Sequence, residues 1–391
     1  MGLTINRISL RNFRNYDLLV LKDIGLLTVF VGPNAVGKTN IIEAIQLVTS
    51  LNSFRNAPIS QLVTWGEASF NIEARETDGQ REIDVCLLCE EGRRSYSSNG
   101  KPKKAAELRG LLPAVLFTPD DLDLIKGPQS TKRSAIDAIG VQLHANYHTV
   151  KKDYEKLIRH KNLLLKEEPE PLLLQSIDEL LVIIGSQFQC YRNALFRRMA
   201  PLIQEHYLEI SQKKEDLSCS YTPFWEEYDP ECCKLSIFER EESQKNFKTL
   251  LEKREEDEKT RKISIVGPHA DKLDFFINGK NANLYGSQGQ QRSLVLAFKL
   301  AEVALFQEIS HTQPILLLDD VMSELDGKRR EALLELLAKD IQTFITTTTL
   351  DYFPKNILEK AKIVRLPLEG GGGVGAAPEK TRPSDEGQGS R

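Results

Sequence analysis

Two hydrophobic patterns divide the chain into stretches with different predicted structure. Apolar and polar residues alternate in FNIEARE (70–76) and EIDVCLL (82–88), and this pattern predicts a β meander up to about residue 117. From about residue 122 to residue 262 the apolar positions follow helical spacing, and strand patterns return at ISIVGPH and LDFFING. This order predicts a helical segment inserted between two parts of an α/β protein.

The segment GPNAVGKT at residues 32–39 matches the phosphate-loop motif G-x-x-x-x-G-K-[ST] at every fixed position. A buried strand is predicted before it at residues 26–31 and a helix after it at residues 41–48, so backbone N–H groups and the helix N-terminus face a phosphate. Lys38 is expected to reach the β- and γ-phosphates, and the Thr39 hydroxyl to hold Mg²⁺. A glycine loop that binds nothing is the alternative, and the flanking elements argue against it. The predicted ATP-binding residues of this segment are Gly32, Pro33, Asn34, Ala35, Val36, Gly37, Lys38, Thr39 and Asn40.

An apolar run that ends in two carboxylates, ILLLDD, occupies residues 315–320. We predict that Asp319 forms the Mg²⁺ site with Thr39 and that Asp320 orients or deprotonates the attacking water. An ordinary buried strand with a polar turn explains the apolar run but not the adjacent acids, which repel each other without a cation nearby. The predicted catalytic residues are therefore Lys38, Asp319 and Asp320.

A second predicted anion site lies at residues 285–293, YGSQGQQRS, which open a long helical pattern. A serine and a glycine at the start of a helix present N–H groups and the positive end of the helix dipole. The predicted nucleotide-binding residues here are Ser287, Gly289 and Gln290. A glycine turn before an amide-rich helix is the alternative. Two anion sites and one Mg²⁺ site suggest a nucleotide held between two copies of the chain, and hence a homodimer formed with ATP.

These motifs resemble those of the RecF family of bacterial recombination mediators. Four further segments add to the resemblance: SLRNFRNY (9–16), FTPDDLDLIKGPQSTKR (117–133), GPHADKLDFFINGK (267–280) and LLLDDVMSELD (316–326). That family lies among the ABC-type ATPases of chromosome maintenance. The resemblance implies an α/β fold: an ABC-type ATPase head, with a P-loop α/β core and an antiparallel β lobe, that carries an inserted α-helical domain. It also implies an ATP-dependent dimer that binds gapped DNA and helps RecO and RecR to load the recombinase RecA in replication and repair of DNA damage.

The order of the motifs predicts the domain boundaries. Residues 1–121 are predicted to form the first part of the ATPase head, and residues 263–368 its second part. The second part contains the signature YGSQGQQRS (285–293), the Walker B strand ILLLDD (315–320) and the D-loop SELD (323–326). Residues 122–262 are predicted to form the helical insertion. The glycine-rich tail at residues 369–391 cannot bury enough apolar surface to fold and is predicted to be disordered.

The resemblance also assigns single residues. An arginine after the first strand lies near the bound phosphates in related heads, so Arg11 and Arg14 become candidates for the nucleotide site. A surface turn is the alternative for both. His269, in GPHAD, is interpreted as a structural hydrogen-bond donor rather than a catalytic group.

Two departures from transporter ATPases predict slow hydrolysis. Residues 342–350, QTFITTTTL, carry threonines where transporters have a switch histidine, and Asp320 stands where transporters have glutamate. Together with the DNA binding that the resemblance implies, these departures predict a weak DNA-dependent ATPase and not the nucleotide-binding subunit of a transporter. An architectural clamp of the SMC kind is the alternative, although the insertion is too short for a coiled-coil arm.

Composition agrees with a soluble cytoplasmic protein. The chain has 391 residues with 40% hydrophobic and 28% charged residues, and neither a signal peptide nor a membrane span is predicted. Cys86 and Cys89 form a C-x-x-C within a strand pattern, where side chains three residues apart face opposite sides and cannot share a metal.

DNA binding is the least specific of these predictions. The formal net charge of −4 gives no global attraction to nucleic acid, so local clusters must carry it. Helical spacing places three basic residues on one face after residue 148, and a second cluster lies near residue 197. A solvated helix face is the alternative for each cluster. The candidate DNA contacts are Lys152, Lys156, Arg159, Arg197 and Arg198. Arg192 belongs to the second cluster, and Lys151 and Lys161 lie near the first.

Overall fold

The computed structural model describes residues 3–167, 170–337 and 340–367, so the predicted disordered tail lies outside the described residues. The strands are β1 Thr4–Phe13, β2 Tyr16–Leu21, β3 Leu27–Val31, β4 Ser69–Thr77, β5 Glu82–Glu90, β6 Arg93–Ser98, β7 Lys101–Lys103, β8 Ala114–Phe117, β9 Leu217–Thr222, β10 Lys272–Ile277, β11 Lys280–Asn281, β12 Ile315–Asp319, β13 Thr343–Thr347 and β14 Lys362–Arg365. The helices are α1 Lys38–Thr49, α2 Ala105–Leu108, α3 Asp123–Lys126, α4 Gln129–Leu143, α5 Ala145–Leu164, α6 Pro171–Ile210, α7 Arg240–Arg261, α8 Ala282–Tyr285, α9 Gln288–Ser310, α10 Gly327–Leu337 and α11 Lys355–Leu358.

A five-stranded parallel sheet in the order β14-β3-β13-β12-β8 lies at the centre of the molecule. Every residue of β3, β12 and β13 is buried, as expected when helices or a second sheet cover both faces. Val29 packs in the core that contains helix α9, whereas Phe30 packs in the core that contains α1 and the β lobe. The carboxyl ends of β3, β13 and β12 meet at one edge, which is where α/β proteins of this kind bind ligands.

The predicted β meander forms a six-stranded antiparallel sheet in the order β2-β1-β4-β5-β6-β7. The Gln342 side chain joins this lobe to the parallel sheet, because it accepts from the Ile5 backbone N–H and donates to the Ile5 carbonyl, both at 2.7 Å. Cys86 and Cys89 lie on β5 as predicted, with Cys86 partly exposed and Cys89 buried.

The predicted helical stretch, residues 122–262, contains α3 to α7 but also one strand that its pattern did not predict. Strand β9 pairs antiparallel with β10, whose residues follow it by about fifty positions, in a three-stranded sheet ordered β11-β10-β9. The helical pattern predicted from about residue 122 to residue 262 therefore does not extend through residues 217–222. A six-residue strand gives little periodicity, and its partner is distant in sequence.

Helix α6, with 40 residues, belongs to two cores. Its first half packs with α5 and α7 around Tyr154 and Phe247, whereas Phe196 and Ile203 of its second half pack with α9 in the core of the head. Among the described residues, α6 alone has the length and hydropathy of a membrane span, a test that core helices of globular proteins also pass. The boundaries at residues 122 and 262 stay predictions, since this helix joins the insertion to the head.

Candidate nucleotide site

The phosphate loop lies between β3 and α1, where two glycines allow close approaches. Gly37 has φ of 99°, and a Cβ atom at this position would lie 2.5 Å from the Asn15 side-chain nitrogen. A Cβ at Gly32 would collide with the carbonyl oxygen of Leu366. Ala35 also adopts a left-handed conformation, with φ of 66°, at some cost in free energy for a residue with a Cβ. The loop is therefore held in its curled shape by its neighbours.

Lys38, the first residue of α1, turns its ammonium nitrogen toward the loop backbone. Its Nζ donates to the carbonyl oxygens of Gly32 and Pro33, each at 2.8 Å, and the side chain is almost entirely buried. Burial lowers the pKa of Lys38, and the charges of Asp320 and Asp319 oppose that effect. The site thus places one cation beside two acids.

The side chain of Asp319, the last residue of β12, is oriented by two hydroxyls. Thr39 at the start of α1 donates to Asp319 Oδ1 at 2.9 Å, and Thr346 of β13 donates to the same oxygen at 2.7 Å. Burial raises the pKa of Asp319, while these two hydrogen bonds oppose the rise. The adjacent Thr39 hydroxyl and Asp319 carboxylate are the hard oxygen ligands that Mg²⁺ prefers.

Asp320, directly after β12, has a left-handed backbone, with φ of 53° and ψ of 27°. Its N–H donates to Thr346 Oγ1 at 2.9 Å. Within the described chain its Oδ1 is buried and accepts no hydrogen bond. Burial raises the pKa of Asp320, the Lys38 charge lowers it, and the Asp319 charge raises it further. A carboxylate oxygen without a protein partner can accept a proton from a bound water.

Three residues that we did not predict also contact the loop. Asn15 donates to the Val36 carbonyl at 3.3 Å and accepts from Asn40, and Tyr16 donates to the same carbonyl at 3.5 Å. Arg55 donates to Asn40 Oδ1 at 2.9 Å. Asn15 and Tyr16 end the SLRNFRNY segment, so the motif itself was the available signal.

Among the hydrogen bonds of the described residues, neither arginine of that segment bonds to the phosphate loop. Arg14 makes a bidentate ion pair with Glu43 of α1, with both N–O distances at 2.8 Å, and also donates to the Gln61 carbonyl. Arg11 is exposed on β1. Their assignment to the nucleotide therefore stays a prediction.

The second predicted anion site is a capped helix start. Ser287 Oγ accepts from the Gln290 N–H at 3.2 Å, and the Gln290 side chain accepts in return from the Ser287 N–H at 2.8 Å. Gln290 also donates to Glu215 at 2.8 Å. Arg329, which the sequence did not single out, donates to the carbonyl of Gly289. The hydrogen bonds of the described residues join Ser287, Gly289 and Gln290 to Glu215 and Arg329, and not to the phosphate loop.

The structure separates the basic residues into exposed and buried groups. Lys152, Lys156 and Arg159 are exposed on α5, and Arg197 is exposed on α6. Arg198 pairs with Glu308 at 2.6 Å on the surface. Two neighbours that we had grouped with them are instead internal: Lys161 pairs with Asp178 and Glu258, and Arg192 pairs with Asp137 and Asp271.

Comparison with known proteins identifies the family. The family described as RecF/RecN/SMC N terminal domain matches residues 4–365. Curated relatives described as DNA replication and repair protein RecF include one from Picosynechococcus sp., 35% identical over 93% of this chain and 95% of its own length. Another, from Streptococcus pneumoniae, is 35% identical over 93% of this chain and 97% of its own length.

Solved structures agree with the sequence matches. A structure described as the recombination mediator protein RecF-ATPrS in the RecFOR pathway has a TM-score of 0.83 and 29% identity, and covers 90% of this chain and 94% of its own. A RecF-ATP structure of the same pathway has a TM-score of 0.80 and 30% identity over the same shares. An Smc head domain from Pyrococcus furiosus, 18% identical with a TM-score of 0.52 over 93% of each chain, shares the fold.

Proposed function

The chain belongs to the RecF family of SMC-like ABC ATPases, and from this premise we propose that it is a DNA-repair ATPase that closes into a dimer around ATP. The observation that carries the proposal is the cluster of Lys38, Thr39, Asp319 and Asp320 at the carboxyl edge of the parallel sheet. The names of its relatives support a role in DNA replication and repair. They also support a location in the bacterial cytoplasm, where the DNA is.

We assign the hydrolysis step to these residues. Lys38 contacts the β- and γ-phosphates, which replace the Gly32 and Pro33 carbonyls as its partners. Thr39 and Asp319 would hold Mg²⁺, which would neutralise charge on the phosphates. Asp320 accepts a proton from the attacking water through its unpartnered Oδ1. The Asp320 pKa raised by burial makes this carboxylate a stronger base than an exposed one.

The position of the second anion site supports formation of a dimer. Since Ser287, Gly289 and Gln290 make their contacts away from the phosphate loop of the same chain, they are available to the nucleotide of a partner. The N-terminus of the 23-residue helix α9 then adds its N–H groups and dipole to the γ-phosphate. Each nucleotide is thus enclosed by two chains.

DNA and protein partners complete the proposal. The exposed Lys152, Lys156 and Arg159 on α5 support binding to phosphates independently of base sequence. A relative of known structure is described as a recombination mediator in the RecFOR pathway, which supports recognition of gapped single-/double-strand DNA and loading of RecA with RecO and RecR. An SMC-like clamp without a loading role remains the second candidate, favoured only by the shared head fold.

Steady-state ATP turnover, measured with and without a gapped duplex at two salt concentrations, tests the proposal. We expect a low basal rate that DNA raises and that high salt returns to its basal value. Asp320→Asn should still bind ATP and accumulate as a dimer, with turnover lowered about a hundredfold. Lys38→Ala, as the matched control, should weaken ATP binding and so prevent the dimer. Turnover of Asp320→Asn at the parental rate would remove Asp320 from the role of base, and a rate indifferent to DNA would remove the repair function.

A further inference from the structure

Helix α5 carries different chemistry on its two sides. The exposed side presents Lys152, Lys156 and Arg159, whereas Tyr154 points inward and is 3% exposed. The Tyr154 hydroxyl lies 2.5 Å from Nδ1 of His269, which belongs to the segment before β10. The helix with the basic face therefore has a direct polar contact with a segment 115 residues further along the chain.

The segment at residues 267–271, which we name the joint, is held on several sides by polar contacts. His269 Nε2 lies 3.2 Å from the Ser264 carbonyl, which can only accept, so Nε2 carries the proton and Nδ1 accepts from Tyr154. Arg192 of α6 donates to the Pro268 carbonyl at 2.6 Å. Arg133 of α4 donates to the Asp271 carbonyl at 2.8 Å.

The joint also depends on a glycine that lets Tyr154 approach. Gly267 has φ of 141°, and a Cβ atom there would lie 2.5 Å from the Tyr154 hydroxyl oxygen. No side chain larger than hydrogen fits between the joint and α5 in this arrangement. The contact between Tyr154 and His269 therefore requires glycine at position 267. Helix α5 and the joint cannot shift independently without breaking this contact.

A continuous set of contacts runs from the joint to the second anion site. The joint leads directly into β10, and β10 continues through β11 to the short helix α8. Gln291, in the first turn of α9, donates to the Ala282 carbonyl of α8 at 2.9 Å. Phe275 of β10 packs edge-on against Phe298 of α9 with ring centres 6.3 Å apart. A displacement of β10 therefore reaches the helix start that carries Ser287.

We propose that Tyr154 is a positioning residue that couples DNA bound on α5 to the ATPase site, through its hydrogen bond to His269 and the joint. This inference rests on the proposed function, because it presupposes ATP turnover that DNA stimulates. Phosphates that draw the cationic face of α5 outward move Tyr154, the joint follows, and β10 and α8 reorient the start of α9. Neither Tyr154 nor His269 touches ATP or DNA in this scheme.

The test compares two substitutions that each remove one buried hydroxyl from α5. Tyr154→Phe removes the contact with the joint, whereas Tyr147→Phe removes a hydrogen bond of 2.6 Å to Asp137 of α4. ATP turnover is measured with and without a gapped duplex, together with DNA affinity by fluorescence anisotropy and thermal unfolding. We expect Tyr154→Phe to keep the basal rate and the DNA affinity but to lose about fivefold in stimulation by DNA. Tyr147→Phe should keep the stimulation, because Arg192 still holds Asp137.

The outcomes separate this inference from the proposed function. Full stimulation of Tyr154→Phe, or an equal loss in Tyr147→Phe, would overturn the coupling role while the repair ATPase stands. A wild-type protein that DNA does not stimulate would overturn the proposed function, and the coupling with it. His269→Gln, whose side-chain oxygen can accept from Tyr154, should retain most of the stimulation; a loss as large as that of Tyr154→Phe would also count against the hydrogen bond.

A fluorescence measurement tests the same coupling without turnover. The chain has two tryptophans, and Trp65 is 95% exposed, so Trp65→Phe leaves Trp225 as the reporter. Trp225 packs edge-on against Phe224, whose N–H donates to Asp271 of the joint at 3.0 Å. DNA should change Trp225 emission in this background, and Tyr154→Phe should remove the change at saturating DNA. An unaltered change would contradict movement of the joint through Tyr154.

Discussion

At the scale of single residues, Thr346 contacts both acids of the nucleotide site, which the run of threonines in the sequence did not predict. Its hydroxyl donates to Asp319 and accepts from the Asp320 N–H, so one side chain orients both acids of the site. The sequence indicated only that a histidine was missing there. The contact depends on β13 lying between β3 and β12, and strand order is not readable from residues 342–350 alone.

We expect Thr346→Val to lower ATP turnover by about tenfold to a hundredfold, because residues that orient metal ligands have effects of this size. It should also lower the free energy of unfolding by about 2 kcal/mol, since a hydrogen bond to a charged group is lost. Turnover under saturating Mg²⁺ and urea unfolding measure the two effects. Thr343→Val is the matched control, because Thr343 is equally buried on β13 but donates to the Ile341 carbonyl. Equal loss of turnover in both variants would mean that Thr346 acts only through stability.

At the scale of elements, arginines connect α9 to the segment after β12. Arg329 of α10 donates to the Gly289 carbonyl and to Ser293 Oγ, and also pairs with Asp326. Arg292 of α9 pairs with Glu324 at 2.9 Å. The two elements that would meet a partner's nucleotide are thus fixed relative to each other. Motif spacing predicted both elements, but Arg329 lies outside the motifs, and Arg292 was given no role within YGSQGQQRS.

Arg329→Ala should weaken the ATP-dependent dimer by about tenfold, because α9 and the D-loop segment lose their shared anchor and must be ordered on closure. ATP binding by the single chain should be unchanged, since Arg329 does not contact the phosphate loop. Sedimentation at several protein concentrations with ATP measures the dimer, and a fluorescent ATP analogue measures binding. Arg198→Ala removes a surface ion pair to the far end of α9 and serves as the control. A dimer as tight as the parental one would show that the anchor is dispensable.

At the scale of the whole molecule, the sequence predicted the parts that short-range pattern determines. The phosphate loop between β3 and α1, the β meander and the helical character of α4 to α7 all follow from local spacing. The sequence did not predict strand β9 or the packing of α6 into two hydrophobic cores, because both depend on contacts between distant residues. For the same reason Arg192 and Lys161 were taken for surface cations although buried acids surround them.

The buried titratable groups give stability two opposing dependences on pH. Burial raises the pKa of Glu302 to about 7 and that of Asp271 to about 6, so the folded state holds protons that the unfolded state releases. Their contribution to stability is present at low pH and is lost as pH rises through those values. Burial lowers the pKa of His269 to about 4, which has the opposite sign. Between about pH 4 and pH 6.5, His269 therefore offsets part of the stability that the two acids lose as pH rises.

The variant His269→Gln separates the contribution of His269 to the pH dependence of the unfolding free energy from those of Glu302 and Asp271. The His269 contribution is complete above its ordinary pKa of 6.5 and is lost as pH falls toward 4, because the unfolded chain takes up the proton first. His269→Gln can keep hydrogen bonds to Tyr154 and to the Ser264 carbonyl but cannot titrate. The difference in unfolding free energy between wild type and variant should thus change by about 2 to 3 kcal/mol between pH 7.5 and pH 4.5, in favour of the variant at acid pH. Urea unfolding at half-unit steps of pH measures this difference. A constant difference across the range would mean that His269 is not held neutral by its surroundings, and the proton assignment at the joint would then be wrong.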